Sequence, residues 1–376
     1  MKSENLNIIK ISLISLPIAS VVLLPIYIYL NGIIWQDIAI LVTGWIVAGM
    51  GITVGYHRLF AHRSFKTYSA IEWILMVMGS MALQNTIVKW CSDHRRHHKK
   101  LDTEEDPYSI TKGFFHAHIG WILDGKDSPV LGVDDLKKKS SVRFQTKYYW
   151  SISLFLSFVL PALIGLAYGR PFGGLLWGGI VRVTLVHHFT FLINSLCHFI
   201  GDKSYDTEIS ARDSWFAALM TFGEGYHNYH HTFQWDYRNG VKWWHFDPTK
   251  WMIRSCSLIG LTKNLKRCTT AQIEKAKLEK QYRLAKEHCE LLNIPEKWRT
   301  RLSQEYEQFL DTLQLWSEHH QAWYATKGRK IQKTIDQWDH RQLHDKYKEI
   351  QYALKAQKRR WQKMLRNLGE TTAYPT

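Results

Sequence analysis

The sequence predicts an all-α integral membrane protein: four transmembrane helices under a helical catalytic cap on the cytoplasmic side, followed by a C-terminal helical extension. Three observations predict it. Four apolar stretches are long enough to cross a bilayer, three histidine clusters stand beside them, and the last third is charged and rich in helix formers. The mean hydropathy of -0.26 conceals this split between a membrane-like first half and a hydrophilic tail.

Residues 11–30 carry no charge, and about 20 residues at 1.5 Å each cover a hydrocarbon core of roughly 30 Å. The run lacks a small-residue cleavage site, so it reads as an anchor and not as a removable signal. Asn31, Gly32 and Asp37 supply a turn, and residues 38–56 form a second uncharged span that ends directly before His57. Residues 73–83 look like another span, but only about a dozen are continuously apolar, which favours a re-entrant or interfacial element. A full crossing there would also separate two histidine clusters onto opposite faces of the membrane. Residues 150–168 and 172–196 make the third and fourth spans, the latter holding Arg182, His187 and His188. Ionisable groups inside a membrane are costly and are functional suspects, although Arg182 is equally suited to a structural pairing.

Four crossings put both termini and all the histidine clusters on one side, and the Lys/Arg excess in residues 63–147 and beyond 242 marks it as cytoplasmic. The net charge of +16 would also suit nucleic acid, but no zinc-finger, helix-turn-helix or RNP pattern accompanies it. Anionic headgroups account for it better. Five cysteines with no CxxC pair point to reduced thiols. The composition divides the chain into residues 1–262, the membrane and histidine-box domain, and 263–376, a basic helical or coiled-coil extension. In the extension, residues 269–293 and 296–326 favour helix on either side of Pro295, and Gly328 allows a turn before residues 329–368. Leu310, Leu313, Trp316 and Ile331, Ile335, Trp338 recur at heptad-like spacing.

The chemistry resides in the histidines. His227, His230 and His231 stand at i, i+3 and i+4, and His94, His97 and His98 repeat the pattern, while His57 and His62 make a third cluster. A lone HxxHH can be a solvated basic face or a set of core histidines. Two triplets and a pair exceed what one four-coordinate zinc can use, which points to two metal ions. Zinc, copper and nickel also suit imidazole, but a site at a membrane boundary favours oxygen chemistry and iron. Asp93, Glu224 and Asp106 are candidates for orienting imidazole N–H groups.

On these residues the chain resembles the membrane fatty-acid desaturases, the Δ9 acyl-CoA (stearoyl-CoA) type in its plant and bacterial branch. The matching text is Gly55-Tyr-His-Arg-Leu-Phe-Ala-His-Arg63, Asp93-His-Arg-Arg-His-His98, Asp106-Pro107, Lys112 to Trp121, Asn194-Ser-Leu-Cys-His198, Gly223 to His231, Asp236 to Gly240 and Asp247 to Trp251. The resemblance covers roughly residues 38–262. It implies nine histidine ligands, His57, His62, His94, His97, His98, His198, His227, His230 and His231, with Asn194 acting through a water. It implies two iron ions and no catalytic residue beyond the metal centre. It places Gln84, Trp90, Thr190 and Phe191 in a bent acyl tunnel, the family having tryptophan where Phe191 stands. Asp93 and Lys126 are what remains of the headgroup contacts, Ser92 and Gly125 having replaced the others. Glu224 and Asn228 are expected behind the ligands.

The resulting expectation is an O2-dependent desaturase that forms a cis double bond in a saturated acyl-CoA or acyl-lipid substrate with two external electrons. No His-Pro-Gly-Gly signature of a fused cytochrome b5 is present, so a separate ferredoxin, cytochrome b5-like or flavin reductase donor is expected, with membrane lipids and no nucleic acid as other partners. The alternatives are a histidine-box hydroxylase or ketolase, a non-catalytic membrane metal-binding protein, and an interaction scaffold built on the tail.

Overall fold

A computed structural model describes the backbone of residues 3–124, 128–327 and 334–371. It divides into two compact units. The first comprises Met1–Ser204 and Glu208–Arg267, and the second comprises Tyr205–Thr207 and Cys268–Thr376.

Four helices of the first unit are long and apolar enough to cross a membrane: Ile9–Asn31, Trp35–Ala61, Ser140–Ala167 and Pro171–His198. The third is led by a helical segment that begins at Ser140 and kinks at Tyr148, just before the expected start at residue 150. Its first turns are polar, so hydropathy does not register them although the backbone is already helical. Between the second and third spans lies the apolar helix Ser69–Ser80. Its 12 residues rise about 18 Å, well short of a roughly 30 Å hydrocarbon core.

After this short helix the chain turns back through Leu83 and Asn85, both at positive φ. Non-helical backbone at membrane depth survives only where protein satisfies its polar groups, and the third and fourth spans do this. Arg182 donates to the Met81 carbonyl and its Nε to the Gly178 carbonyl (3.0 Å). His187 Nε2 lies 2.8 Å from the Ala82 carbonyl. Ser157 Oγ donates to Met81 O (3.0 Å), the Asn85 N–H donates to Tyr149 Oη (2.7 Å), and the Ile87 N–H donates to Gln145 Oε1 (3.1 Å). Arg182 and His187 therefore hold the return segment in place.

The short helix also lies backbone-to-backbone against the second span. A Cβ added at Gly51 would come within 2.2 Å of the Gly79 nitrogen, and one at Gly79 within 2.4 Å of the Tyr56 ring. Only hydrogen at both positions allows this approach. The main hydrophobic core, including Tyr56, Phe60, Leu75, Met76 and Ile87, fills the space beside it. A two-residue antiparallel ladder joins Lys66–Thr67 to Thr262–Lys263 and closes the unit.

The second unit contains three helices, Thr270–Leu291, Glu296–Lys327 and Thr334–Thr371. The first opens on a capping box in which Thr269 and Gln272 bond reciprocally, satisfying two backbone donors that a helix start leaves free. The core contains Leu278, Leu302, Phe309, Trp361 and Leu368. Of the heptad-like positions, Leu313 is buried and Leu310 packs against this core. Gly328 and Ile331, and the side chains of Ile335 and Trp338, lie outside the described residues.

Candidate metal centre

Local helix geometry first decides which imidazoles can meet. His57 and His62 are five residues apart, which on an α-helix separates them by roughly 140°. Here the second span ends in a π-helical stretch, Gly51–Ala61, and the His62 N–H bonds the His57 carbonyl (3.0 Å). A π turn closes at i+5, so both rings reach one side. His94, His97 and His98 lie on the α-helix Ile87–Lys99. His198 ends the fourth span in a short 3₁₀ turn, and His227, His230 and His231 lie on the helix His227–Thr232. That last helix follows Phe222 and Gly223, both at positive φ. A side chain at Gly223 would also strike the Asp247 carboxylate, 2.7 Å away.

These elements converge on two groups of nitrogen donors. His57, His62, His94, His98 and His230 form one, and His97, His198, His227 and His231 form the other. Within each group the donor atoms lie within 4.8 Å of one another, a placement that could hold a metal ion. Each HxxHH triplet is divided. His94 and His98 join the group of five while His97 joins the group of four; His227 and His231 join the group of four while His230 joins the group of five. The i and i+4 positions differ by about 40°, whereas i+3 and i+4 differ by about 100°, so one helix serves two adjacent centres.

The spacing of the nitrogens tests whether metal fits. In the group of five, Nε2 to Nε2 distances are 3.0 Å for His57–His230, 2.8 Å for His62–His94 and 3.0 Å for His98–His230. In the group of four they are 3.2 Å for His97–His231, 3.1 Å for His198–His227 and 3.0 Å for His227–His231. Ligands at right angles on a metal at roughly 2.1 Å stand about 3.0 Å apart, and tetrahedral ligands about 3.4 Å apart. Both groups match the right-angle value.

The surroundings supply the proton state that metal needs. Burial first, and neighbouring imidazoles second, hold His62, His94, His97, His98, His227, His230 and His231 well below the ordinary histidine range. Neutral imidazole is the ligating form. Glu224 Oε2 lies 2.8 Å from His57 Nδ1, and the Asp106 carboxylate lies 2.9 Å from His97 Nδ1. An Nδ1–H donated to a carboxylate leaves the Nε2 lone pair facing inward. Such lone pairs repel one another unless a cation lies between them, so the donor set fits two transition-metal ions.

The two carboxylates are held differently. Burial opposes ionisation of Glu224, but His57 and Arg58 outweigh it and bring its carboxyl down to about 2. The fully buried Arg58 bonds Glu224, Asp247 and the Tyr237 carbonyl. Burial instead pushes Asp106 up to about 7, against the hydrogen bonds from the Tyr108 and Asp102 N–H groups. Sequence reasoning missed the support behind His198. Ser210 Oγ lies 2.6 Å from His198 Nδ1 and donates to Asp102 Oδ1 (2.5 Å), while the Ser210 N–H donates to Asp102 Oδ2 (2.8 Å). Asp102 belongs to an acidic run visible in the sequence; nothing in the sequence singles out Ser210. Tyr108 Oη, 3.5 Å from His94 Nδ1, is likewise silent in the sequence.

Asp93 does not orient an imidazole. The Lys89 ammonium, one helical turn earlier, takes it (3.2 Å), together with the Ser128 hydroxyl (2.5 Å). Asn228 donates to the Ala211 carbonyl (2.9 Å), and Lys126 lies outside the described residues.

A cavity of about 480 Å³ adjoins both groups, lined by His57 and His94 of the five, His227 of the four, and Asn194 among others. Gln84, Trp90, Thr190 and Phe191 also line it, as do the charged Asp93 and Lys89. Gln84 Nε2 donates to Thr190 Oγ1 (2.8 Å), and Trp90 Nε1 donates to Gln84 Oε1 (3.3 Å). The Trp90 ring stacks on His94 at 4.8 Å. The three residues thus form one hydrogen-bonded wall beside the imidazoles.

Comparison with known proteins agrees with this architecture. The profile described as "Fatty acid desaturase" matches residues 35–260. The chain is 39% identical over 260 residues to a "Probable acyl-CoA desaturase" of Schizosaccharomyces pombe, covering 68% of this chain and 52% of that one. It is 38% identical over 239 residues to "Acyl-CoA desaturase 1" of Saccharomyces cerevisiae, covering 62% and 47%. It is 35% identical over 237 residues to the "sn-1 stearoyl-lipid 9-desaturase" of Anabaena variabilis, covering 62% and 85%. The matches thus span about half the length of the two fungal relatives. Four long apolar helices, two histidine groups and a profile match over most of the first unit lead to one conclusion: this chain is a multi-pass membrane protein that belongs to the fatty acid desaturase family.

Proposed function

We propose that the protein introduces a cis double bond into a saturated fatty acyl chain, with regiochemistry at or near C9, using O2 and two external electrons. The reaction balances as –CH2–CH2– plus O2, two electrons and two protons giving –CH=CH– and two waters. The observation that carries this reading is the pair of imidazole groups, with the Gln84–Trp90–Thr190 wall of the adjoining cavity set against His94 and His57 of the group of five. Two iron ions held by the nine histidines would supply, with O2, the oxidising power that an unactivated C–H bond demands.

The chain's own residues do the remainder. The cavity takes the acyl tail, whose burial at about 0.8 kcal/mol per methylene provides most of the binding. The Gln84–Trp90–Thr190 wall fixes which methylenes lie beside His94. Glu224 and Asp106 keep protons on His57 Nδ1 and His97 Nδ1, so that both rings present their lone pairs to metal. The part of the cavity lined by Lys89 and Asp93 receives the headgroup, acyl-CoA first and a lipid- or carrier-linked acyl group second. A separate ferredoxin, cytochrome b5-like protein or flavin reductase delivers electrons to the face we assign as cytoplasmic. Residues 263–376 act as an accessory extension.

The test is expression in a desaturase-deficient host, with mass spectrometry locating the double bonds. The expected product is a cis alkene, abolished by His94→Ala or His230→Ala while membrane insertion persists. An alcohol product would assign hydroxylation, and full activity in either variant would refute the reading.

A further inference from the structure

The last helix of the second unit is Thr334–Thr371, and its turns from Ile350 to Leu368 face apolar side chains inward. Ile350, Trp361, Met364 and Leu368 are buried, and Trp361 Nε1 donates to Gln281 Oε1 (2.8 Å). Its other face is unusual. From residue 350 to 369 the sequence contains Lys355, Lys358, Arg359, Arg360, Lys363 and Arg366 and no acidic residue. Two of these six cations have partners: Lys358 bonds Glu274 at 2.6 Å and Arg360 lies 3.8 Å from Glu305. The other four, Lys355, Arg359, Lys363 and Arg366, are exposed and meet no carboxylate among the described residues.

Those four stand at i, i+4, i+8 and i+11. At 100° per residue they fall within an arc of roughly 80°, and at 1.5 Å per residue they form a straight stripe about 16 Å long. Like charges spaced i, i+4 weaken a helix, so neither packing nor helix stability accounts for the stripe. Tyr352, 69% exposed, precedes it by one turn on the same face, with the Lys355 ammonium 5.7 Å from its ring.

We propose that this stripe docks on the headgroups of anionic phospholipids. The second unit is covalently continuous with a unit that carries four membrane-length helices, so a bilayer surface is always within its reach. The apolar side chains Trp361, Met364 and Leu368 beside the stripe are committed to the core of their own unit, which suits adsorption at headgroup level over insertion. An acidic protein partner would need a patch of about 800 Å² with apolar anchors, whereas this ridge offers a line of cations and one tyrosine, a side chain at home at lipid interfaces. Each Lys or Arg at an anionic surface is worth about a fivefold gain in binding.

The test uses the full chain in nanodiscs, with a fluorophore on Gln362→Cys, an exposed position on the same face. Cys256→Ser removes the one native thiol that is not buried. Quenching by headgroup-labelled lipid is compared between discs of phosphatidylcholine and discs containing one-third phosphatidylglycerol. The expected result is strong quenching in the anionic discs alone, reversed by high salt. Lys363→Gln with Arg366→Gln should weaken it roughly 25-fold, and the fourfold glutamine variant should abolish it. Equal quenching in both discs, insensitivity to salt, or a fourfold variant that behaves like the parent would overturn the proposal. So would docking seen only in neutral discs after a soluble acidic protein such as ferredoxin is added.

Discussion

Replacing Glu224 with glutamine tests whether the two groups of histidines are separately supported metal sites. Four donors converge on the two carboxylate oxygens. Arg58 Nε and Nη2 reach Oε1 at 3.2 and 3.0 Å, while His57 Nδ1 and Asn239 Nδ2 reach Oε2 at 2.8 and 2.6 Å. A glutamine has one oxygen to offer. Its amide must point NH2 either at the Arg58 guanidinium or at the His57 and Asn239 donors, so one donor–donor conflict is unavoidable. In either orientation the buried Arg58 loses one of its two carboxylate partners; in one His57 also loses its acceptor, and in the other an NH2 group faces the guanidinium. Loss of such a partner behind a ligand costs about 10- to 100-fold in metal affinity, or roughly 1.4–2.8 kcal/mol at 1.4 kcal/mol per decade. His227 meets Glu224 through the backbone, a contact that glutamine keeps, and none of these side-chain bonds reaches His97, His198 or His231, so their group should keep most of its affinity. The assay is iron titration of the purified chain by elemental analysis, with a spectroscopic signature for paired iron. The expected outcome is near-stoichiometric filling of one site and a 10- to 100-fold weaker second site. Equal weakening of both, or none, would refute the claim that Glu224 supports the group of five alone.

The same assay should give the mirror image for Ser210→Ala, which removes the hydroxyl between His198 and Asp102: affinity falls about 10- to 100-fold in the group of four and is retained in the group of five. Gly51→Ala places a methyl group 2.2 Å from the Gly79 backbone nitrogen, so it should cost at least about 1–3 kcal/mol, read as a lower melting temperature in detergent without loss of expression. Thr190→Val leaves the half-buried Gln84 Nε2 without its acceptor, a cost of about 0.5–1.5 kcal/mol for one lost hydrogen bond; the expected readout is a broader distribution of double-bond positions at nearly unchanged metal content.

How much is legible in the residues alone differs between fold and site. Spans 11–30 and 38–56 stand out because an uncharged run of bilayer length is stable in lipid and in few other surroundings, and 172–196 stands out because Arg182 alone interrupts its apolar run with a charge. The helical turns from Ser140 to the kink at Tyr148 are hidden because their polar residues give no hydropathy signal. The HxxHH triplets stand out because i, i+3 and i+4 share a helix face in any context. Asp93 misleads because its proximity in sequence to His94 says nothing about Lys89, which competes for it from the preceding turn.

By itself, then, the sequence determined what depends on local chemistry: which stretches prefer lipid, which residues can ligate metal, where Thr269 starts a helix and Pro295 interrupts one. The tertiary structure alone decided the assignments that depend on convergence. It divided each triplet between two groups, used a π turn to bring His62 beside His57, set Ser210 behind His198, and used Arg182 and His187 to cap the return of the Ser69–Ser80 helix. The physical reason is range. Hydropathy and helix periodicity act over a few residues, whereas a hydrogen bond between Asp102 and Ser210, or the close approach of the His57 and His230 Nε2 atoms, joins residues that only the packing of whole helices brings within 3 Å.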